Sequence, residues 1–222
     1  MLRELIHLAR HAPKTLALKR GLSHVELYDT VMRDADDAGF RARRAWLASD
    51  VRGDVLEIGC GTGFMFEHFS TDARVRAIDV DDDFLAVARS RATQHPHVVV
   101  SKGDAQALPF ADASFDVAVA CLVFCSIPSA ARALSEAKRV LRPGGELRLI
   151  EHVASSHPIK RALMHAADPI WLHLNEQGCH MNRSTVATAR SVFGNVTVAD
   201  RFQIYSSTLP AFPMVAVRAF KR

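Results

Sequence analysis

Along this chain the apolar residues fall first at helical spacing and then in short runs that alternate with further helical stretches. Leu2, Leu5, Ile6 and Ala9 share one face, while Arg3, Arg10, Lys14, Lys19 and Arg20 lie elsewhere. The pattern predicts an amphipathic basic helix over residues 2–20, interrupted near Pro13. Helical spacing continues over residues 24–49 through Tyr28, Val31, Met32, Phe40, Trp46 and Leu47, with Gly39 as the expected break. Strand-like runs follow at 54–58, 74–79, 97–101, 115–121 and 145–151. Helices are expected at about 63–70, 82–94, 129–140 and 157–174, and again between Ser184 and Gly194. The Asp81–Asp83 run suits an N-cap and first helical turn. Pro143-Gly144-Gly145 suits a tight turn. Such alternation predicts right-handed βαβ units and a parallel sheet. Two final strands, near 195–204 and 213–221, form a hairpin-like end. The expected fold is therefore an α/β three-layer sandwich with a seven-stranded, mostly parallel sheet whose last strand is antiparallel.

Composition narrows the setting. Apolar residues are 49% and charged residues 23% of the 222-residue chain, enough for a large core in a soluble protein. The run from Val117 to Phe124 is far too short to span a bilayer. No secretory leader is visible. The four cysteines lack metal-site spacing and suggest reduced thiols, hence a cytoplasmic setting. A net charge of only +4, with scattered basic residues, gives nucleic-acid binding no support. The domain reading is a helical extension or lid over residues 1–50 and an α/β domain over 51–222, as monomer or homodimer. Residues 1–20 are either a packing helix or a peripheral membrane contact.

The candidate chemistry begins at Val55-Leu56-Glu57-Ile58-Gly59-Cys60-Gly61-Thr62-Gly63, a buried strand running into a glycine-rich loop, with a helix expected from Phe64. Glycines at alternate positions allow a sharp turn and close approach of a ligand. Asp79, at the end of the second strand, stands where an acid accepts hydrogen bonds from both hydroxyls of a ribose. NAD and S-adenosylmethionine both remain open on these grounds. The Gly-x-Gly-x-Gly spacing offers less of a pyrophosphate cradle, and Glu57 is placed to meet a cationic amino-acid tail. Both features favour the second.

With Gly103-Asp104-Ala105, Leu108-Pro109-Phe110, Ser114-Phe115-Asp116 and Leu141-Arg142-Pro143-Gly144-Gly145 added, residues 53–152 resemble class I S-adenosylmethionine-dependent methyltransferases, with their Rossmann-like fold. The resemblance implies that Gly59, Cys60, Gly61 and Gly63 pass the methionine part and that Glu57 supports their loop. It implies Asp79 at the ribose with Val80 beside it, and Asp104 with the Ala105 amide at the adenine. Cys121 and Leu122 would line the methionyl region; on helical spacing alone, Tyr28 of the extension either supplies a hydroxyl there or is simply packed.

The second half narrows the resemblance. Cys121-Leu122-Val123-Phe124-Cys125-Ser126, Glu151-His152-Val153, Asp168-Pro169-Ile170-Trp171 and Gly178-Cys179 resemble the branch that contains the alkyl-thiol S-methyltransferases. That branch carries a hydrophobic N-terminal anchor, whereas residues 1–20 here are amphipathic and charged. The expected acceptor is a small apolar thiol, with a phospholipid amine or a phenol or quinone as alternatives. A cofactor-binding regulator without turnover is the rival of another class. His152, at the end of the fifth strand, is the candidate base, with a hydrogen bond to Glu151 or to backbone as its structural alternative. Asp168 is a second candidate, or else a cap or turn ahead of Pro169. Cys179 is expected to be structural. His165, His173 and His180 show no metal-ligand spacing, so no metal is expected.

Overall fold

The computed structural model describes residues 20–175, 178–208 and 211–222. The helix expected over residues 2–20 lies, Arg20 apart, outside them. Helix α1 (His24–Ala35) opens with a capping box. The Ser23 amide donates to Glu26 Oε2 at 2.9 Å and the Glu26 amide to Ser23 Oγ at 3.3 Å, which satisfies two otherwise orphaned donors. A π-helical turn, Asp36–Phe40, separates it from α2 (Arg41–Ala48). Gly39 breaks the helix there, as expected, at φ +106°.

Next come β1 (Gly53–Ile58), β2 (Ala73–Asp79), α3 (Asp82–Ala92), β3 (Val98–Lys102), β4 (Phe115–Cys121) and α4 (Ala130–Val140). The chain closes with β5 (Leu141–His152), α5 (Pro158–Leu174), α6 (Thr185–Phe193), β6 (Asn195–Phe202) and β7 (Met214–Phe220). Asp81 caps α3 by accepting from the amides of Asp83 and Phe84, and Gly194 ends α6 at φ +75°. The seven strands run in the order β3-β2-β1-β4-β5-β7-β6, with β7 antiparallel to both its neighbours.

The sheet has a core on each face because its central strands are apolar on both sides. Leu56 and Ile58 join Leu134, Ala137, Ala189 and Phe193 beneath α4 and α6. Val55, one residue out of phase, joins Leu47, Ala48, Leu85 and Ala88 beneath α2 and α3. The helical segment 24–48 thus shares a core with the sheet. Strand order reverses between β1 and β4, whose C-terminal ends open a crevice of the kind in which open α/β sheets bind ligands.

Three local expectations are corrected. No α-helix forms over 63–70: Gly63 turns the chain at φ +92°, and a single 3-10 turn, Phe66–His68, follows. Met65, Phe66 and Phe69 are all buried there, leaving no polar helix face. Pro143–Gly145 lies within β5 as an irregularity, with Leu141 already paired to Phe115. Asp168 neither caps nor turns, since α5 runs on through Pro169. Among the described residues no helix is long and apolar enough to cross a membrane.

Candidate active site

The glycine loop leaves β1 with Gly59, Gly61 and Gly63 all at positive φ, +68°, +53° and +92°. All three positions also lack room for a side chain, a Cβ on Gly63 meeting Phe66 Cε2 at 2.5 Å. A Cβ on Gly59 would stand 2.6 Å from Val123 Cγ1, and one on Gly61 2.8 Å from the Tyr28 hydroxyl oxygen. Tyr28 therefore lies over the loop, packed on Phe84 at 4.7 Å between ring centroids, and its surroundings push the phenol pKa well up. Asp79 braces the loop from β2, accepting from the Gly61 amide at 2.8 Å and, through its other oxygen, from Val80 and Asp81. Val80 beside it is 58% exposed, an apolar surface available to a flat ring. Asp104 is exposed, with Gln106 on its carboxylate, and Ala105 is buried. The Cys60 side chain sits in the core, so only its backbone belongs to the loop.

Glu57 is the informative group. It is buried, and its Oε2 has no hydrogen-bond partner. Burial pushes its carboxyl up to about 8, against the pull of Arg44. An orphaned buried carboxylate oxygen is costly unless something comes to satisfy it. A cationic amine would do so, and a ligand with an ammonium group fits here.

The helical extension contributes more than the sequence indicated. Arg44 of α2 is buried, paired with Asp36 at 2.9 Å, and reaches Cys121 Sγ at 3.4 Å. Asp29 of α1 accepts from Thr62 Oγ1 at 2.7 Å, and Arg91 of α3 binds both that hydroxyl and Asp29. Helices α1 and α3 thus clamp the glycine loop at Thr62. Neither Arg44 nor Asp29 carries a sequence signal, because each acquires its role only by packing. Cys121 is held by burial at a thiol pKa of about 12, so it stays protonated. Leu122 follows at φ +60°, a conformation that disfavours a side chain, at the mouth of the crevice.

A second cluster is assembled at the ends of β4 and β5 and beside α5, the candidate acceptor end. Glu151 is fully buried and accepts from the amides of Val123, Phe124 and Cys125 at 2.7, 2.7 and 3.2 Å. It does not bond His152. Burial raises its carboxyl pKa well above the ordinary range. His152 is buried; its Nε2 lies 2.5 Å from the His180 carbonyl, and its ring stacks on Phe212, which meets Trp171 edge-on. Cys179 Sγ stands 3.6 Å from Cys125 Sγ and 3.4 and 3.5 Å from the two His152 nitrogens. The Cys179 thiol donates to Cys125, holding the Cys125 thiol pKa below its usual range and raising its own. Asp168 accepts from Met181 N at 2.7 Å and meets His180 Nδ1 at 2.8 Å, so both its oxygens serve the loop that carries Cys179.

A cleft of about 480 Å³ lies elsewhere, between α1, α2 and α3, and is lined largely by charged groups such as Arg33, Asp36, Arg41 and Glu67. It meets the glycine loop only at Gly63 and Phe64, away from Glu57 and Asp79.

Comparison with known proteins agrees with this geometry. Residues 56–149 match a family model described as a methyltransferase domain. Over 137 residues the chain is 35% identical to thiol S-methyltransferase TMT1B of Rattus norvegicus, covering 59% of this chain and 55% of that protein. The chain thus spans about half the length of that relative. It is 32% identical over 141 residues to phosphatidylethanolamine N-methyltransferase of Cereibacter sphaeroides, covering 62% of this chain and 69% of that one. Among solved structures, the YcgJ protein of Bacillus subtilis superposes with a TM-score of 0.68 at 17% identity, over 83% of this chain and 97% of the other. A glycine loop braced by an acid on β2, a buried carboxylate awaiting a cation and these relatives converge: the chain belongs to the S-adenosylmethionine-dependent methyltransferases.

Proposed function

We propose that this protein methylates the sulfur of a small, apolar thiol. The observation that carries the reading is the state of the acceptor end, where both buried carboxylates are already engaged. Glu151 is taken by three backbone amides, and Asp168 by Met181 and His180. That leaves neither acid to hold the cation of a phospholipid amine. What lines this end instead is a wall of Trp171, Phe212 and His152 in ring contact and two sulfurs, surroundings suited to a neutral, polarisable acceptor. The likeness to a thiol S-methyltransferase supports the same choice.

S-adenosylmethionine, when bound, supplies a methyl group already activated by a sulfonium. The chain's task is to hold, orient and deprotonate. Glu57 would hold the ammonium, Asp79 the ribose, Asp104 and the Ala105 amide the adenine, and Cys121 and Leu122 would border the methionyl part. Orientation of this kind is worth ~7–11 kcal/mol. A thiol with a pKa of about 8.5 needs only modest help to ionise near neutrality. His152 and its sulfur neighbours stand where that help is needed.

The test is a product assay with labelled S-adenosylmethionine, run in parallel on a small alkyl or aryl thiol, an aminophospholipid in liposomes and a phenolic quinol. Methyl transfer to the thiol alone is expected. Label in the phospholipid or quinol alone would overturn the reading, and cofactor binding without any product would favour a regulator.

A further inference from the structure

The fold brings together three side chains that lie far apart in sequence. Cys125 stands on the turn after β4, His152 ends β5, and Cys179 lies on the loop after α5, 54 residues beyond Cys125. One ligand atom from each lies within 4.8 Å of the other two. We propose that Cys125, His152 and Cys179 form a binding site for one divalent cation of the zinc type, with one coordination position left open.

The spacing fits such an ion. Around tetrahedral zinc, with bonds of ~2.3 Å to sulfur and ~2.0–2.1 Å to nitrogen, sulfur–sulfur edges are about 3.8 Å and sulfur–nitrogen edges about 3.5 Å. Here the sulfur–sulfur distance is 3.6 Å and Cys179 Sγ lies 3.4 and 3.5 Å from the imidazole nitrogens. Near-equal distances place that sulfur over the ring, so closing the site requires Cys179 to swing toward the ring plane. Its half-buried loop position allows this.

The surroundings are those of a ligand set. His152 Nε2 is spent on the His180 carbonyl, the hydrogen bond that fixes the tautomer of a ligating histidine and frees Nδ1. Asn175 pins Cys179 through its amide at 2.7 Å and its carbonyl at 3.1 Å. Glu151 anchors the Cys125 amide. The Trp171 indole N–H, on the helix that precedes the Cys179 loop, is buried with no hydrogen-bond partner. Plain apolar packing would not place an imidazole against two sulfurs.

Among the described residues the cluster contains three ligands, the number that leaves a tetrahedral ion one free position. On the thiol reading above, an acceptor thiol occupies that position, gives its proton to solvent and remains as thiolate on the cation. That step rests on the reading; the cation site does not.

The probe is cobalt(II) alone, titrated into the full chain after chelation and reduction. One equivalent should bind and give tetrahedral d–d absorption with a thiolate-to-cobalt charge-transfer band, displaced by zinc. Cys179→Ser and His152→Gln should each abolish or shift that band and weaken binding at least about tenfold, with circular dichroism confirming the fold. Cys60→Ser should keep it. Absence of stoichiometric binding, a band untouched by Cys179→Ser, or a Cys125–Cys179 disulfide persisting under reductant would overturn the site. An alkyl thiol should perturb the cobalt bands; if the bands exist and do not respond, the site stands and thiol coordination falls.

Discussion

Two buried glutamates stand at the ends of strands in the same sheet, and their difference separates the two halves of the active site. Glu57, on β1, keeps an oxygen with no partner, whereas Glu151, on β5, is surrounded by three amide donors. Burial raises both carboxyl pKa values. One has an oxygen left to satisfy; the other is a fastening that folds the Val123–Cys125 turn. Between these two glutamates, partner count and not burial or pKa makes the difference.

Four perturbations sharpen or break that contrast. The largest effect belongs to Glu151→Ala, which strands three buried amides at ~1–3 kcal/mol each, for a loss of at least about 3 kcal/mol in denaturant unfolding. A smaller loss would mean that the turn holds itself. Asp79→Ala should weaken S-adenosylmethionine at least about tenfold, or ~1.4 kcal/mol, by calorimetry. Unchanged affinity would leave Asp79 with loop bracing alone.

Glu57→Gln tests the unsatisfied carboxyl through pH. Between its ordinary value of 4.5 and about 8, native Glu57 keeps a proton that the unfolded chain has lost. Native stability therefore falls as pH rises through that window. The variant should match wild type near pH 4.5 and melt higher, by at least several degrees, at pH 8.5, while binding the cofactor more weakly. A wild-type melting profile would mean that Glu57 is already ionised in the free protein. The smallest effect is expected from Asp168→Asn, which keeps an acceptor for Met181 N but loses the charge beside His180. Turnover should drop a few-fold with cofactor affinity unchanged and stability altered by less than about 1 kcal/mol. Wild-type turnover would show that the Cys179 loop holds its place without that charge.

The seven strands, their parallel run and the antiparallel β7 were legible because period and turn chemistry are local properties of the backbone. The cofactor end was legible for the same reason: Glu57 to Gly63 is one continuous stretch, and Asp79 follows after a single crossover. Where local reading failed, packing had decided. The helix expected after Gly63 gave way to a turn because Met65, Phe66 and Phe69 all go to the core. Asp168 read as a cap or turn because Pro169 follows it, yet the helix absorbs the proline and the carboxylate reaches across to Met181 and His180.

The sequence alone determined the sheet and the cofactor motif, since both are written in residues a few positions apart. Only the tertiary structure decided the acceptor end and the clamp on the loop. Arg44, Asp29, Cys125, His152 and Cys179 acquire their neighbours from segments tens of residues away, and no periodicity encodes a contact that exists only once the elements have packed.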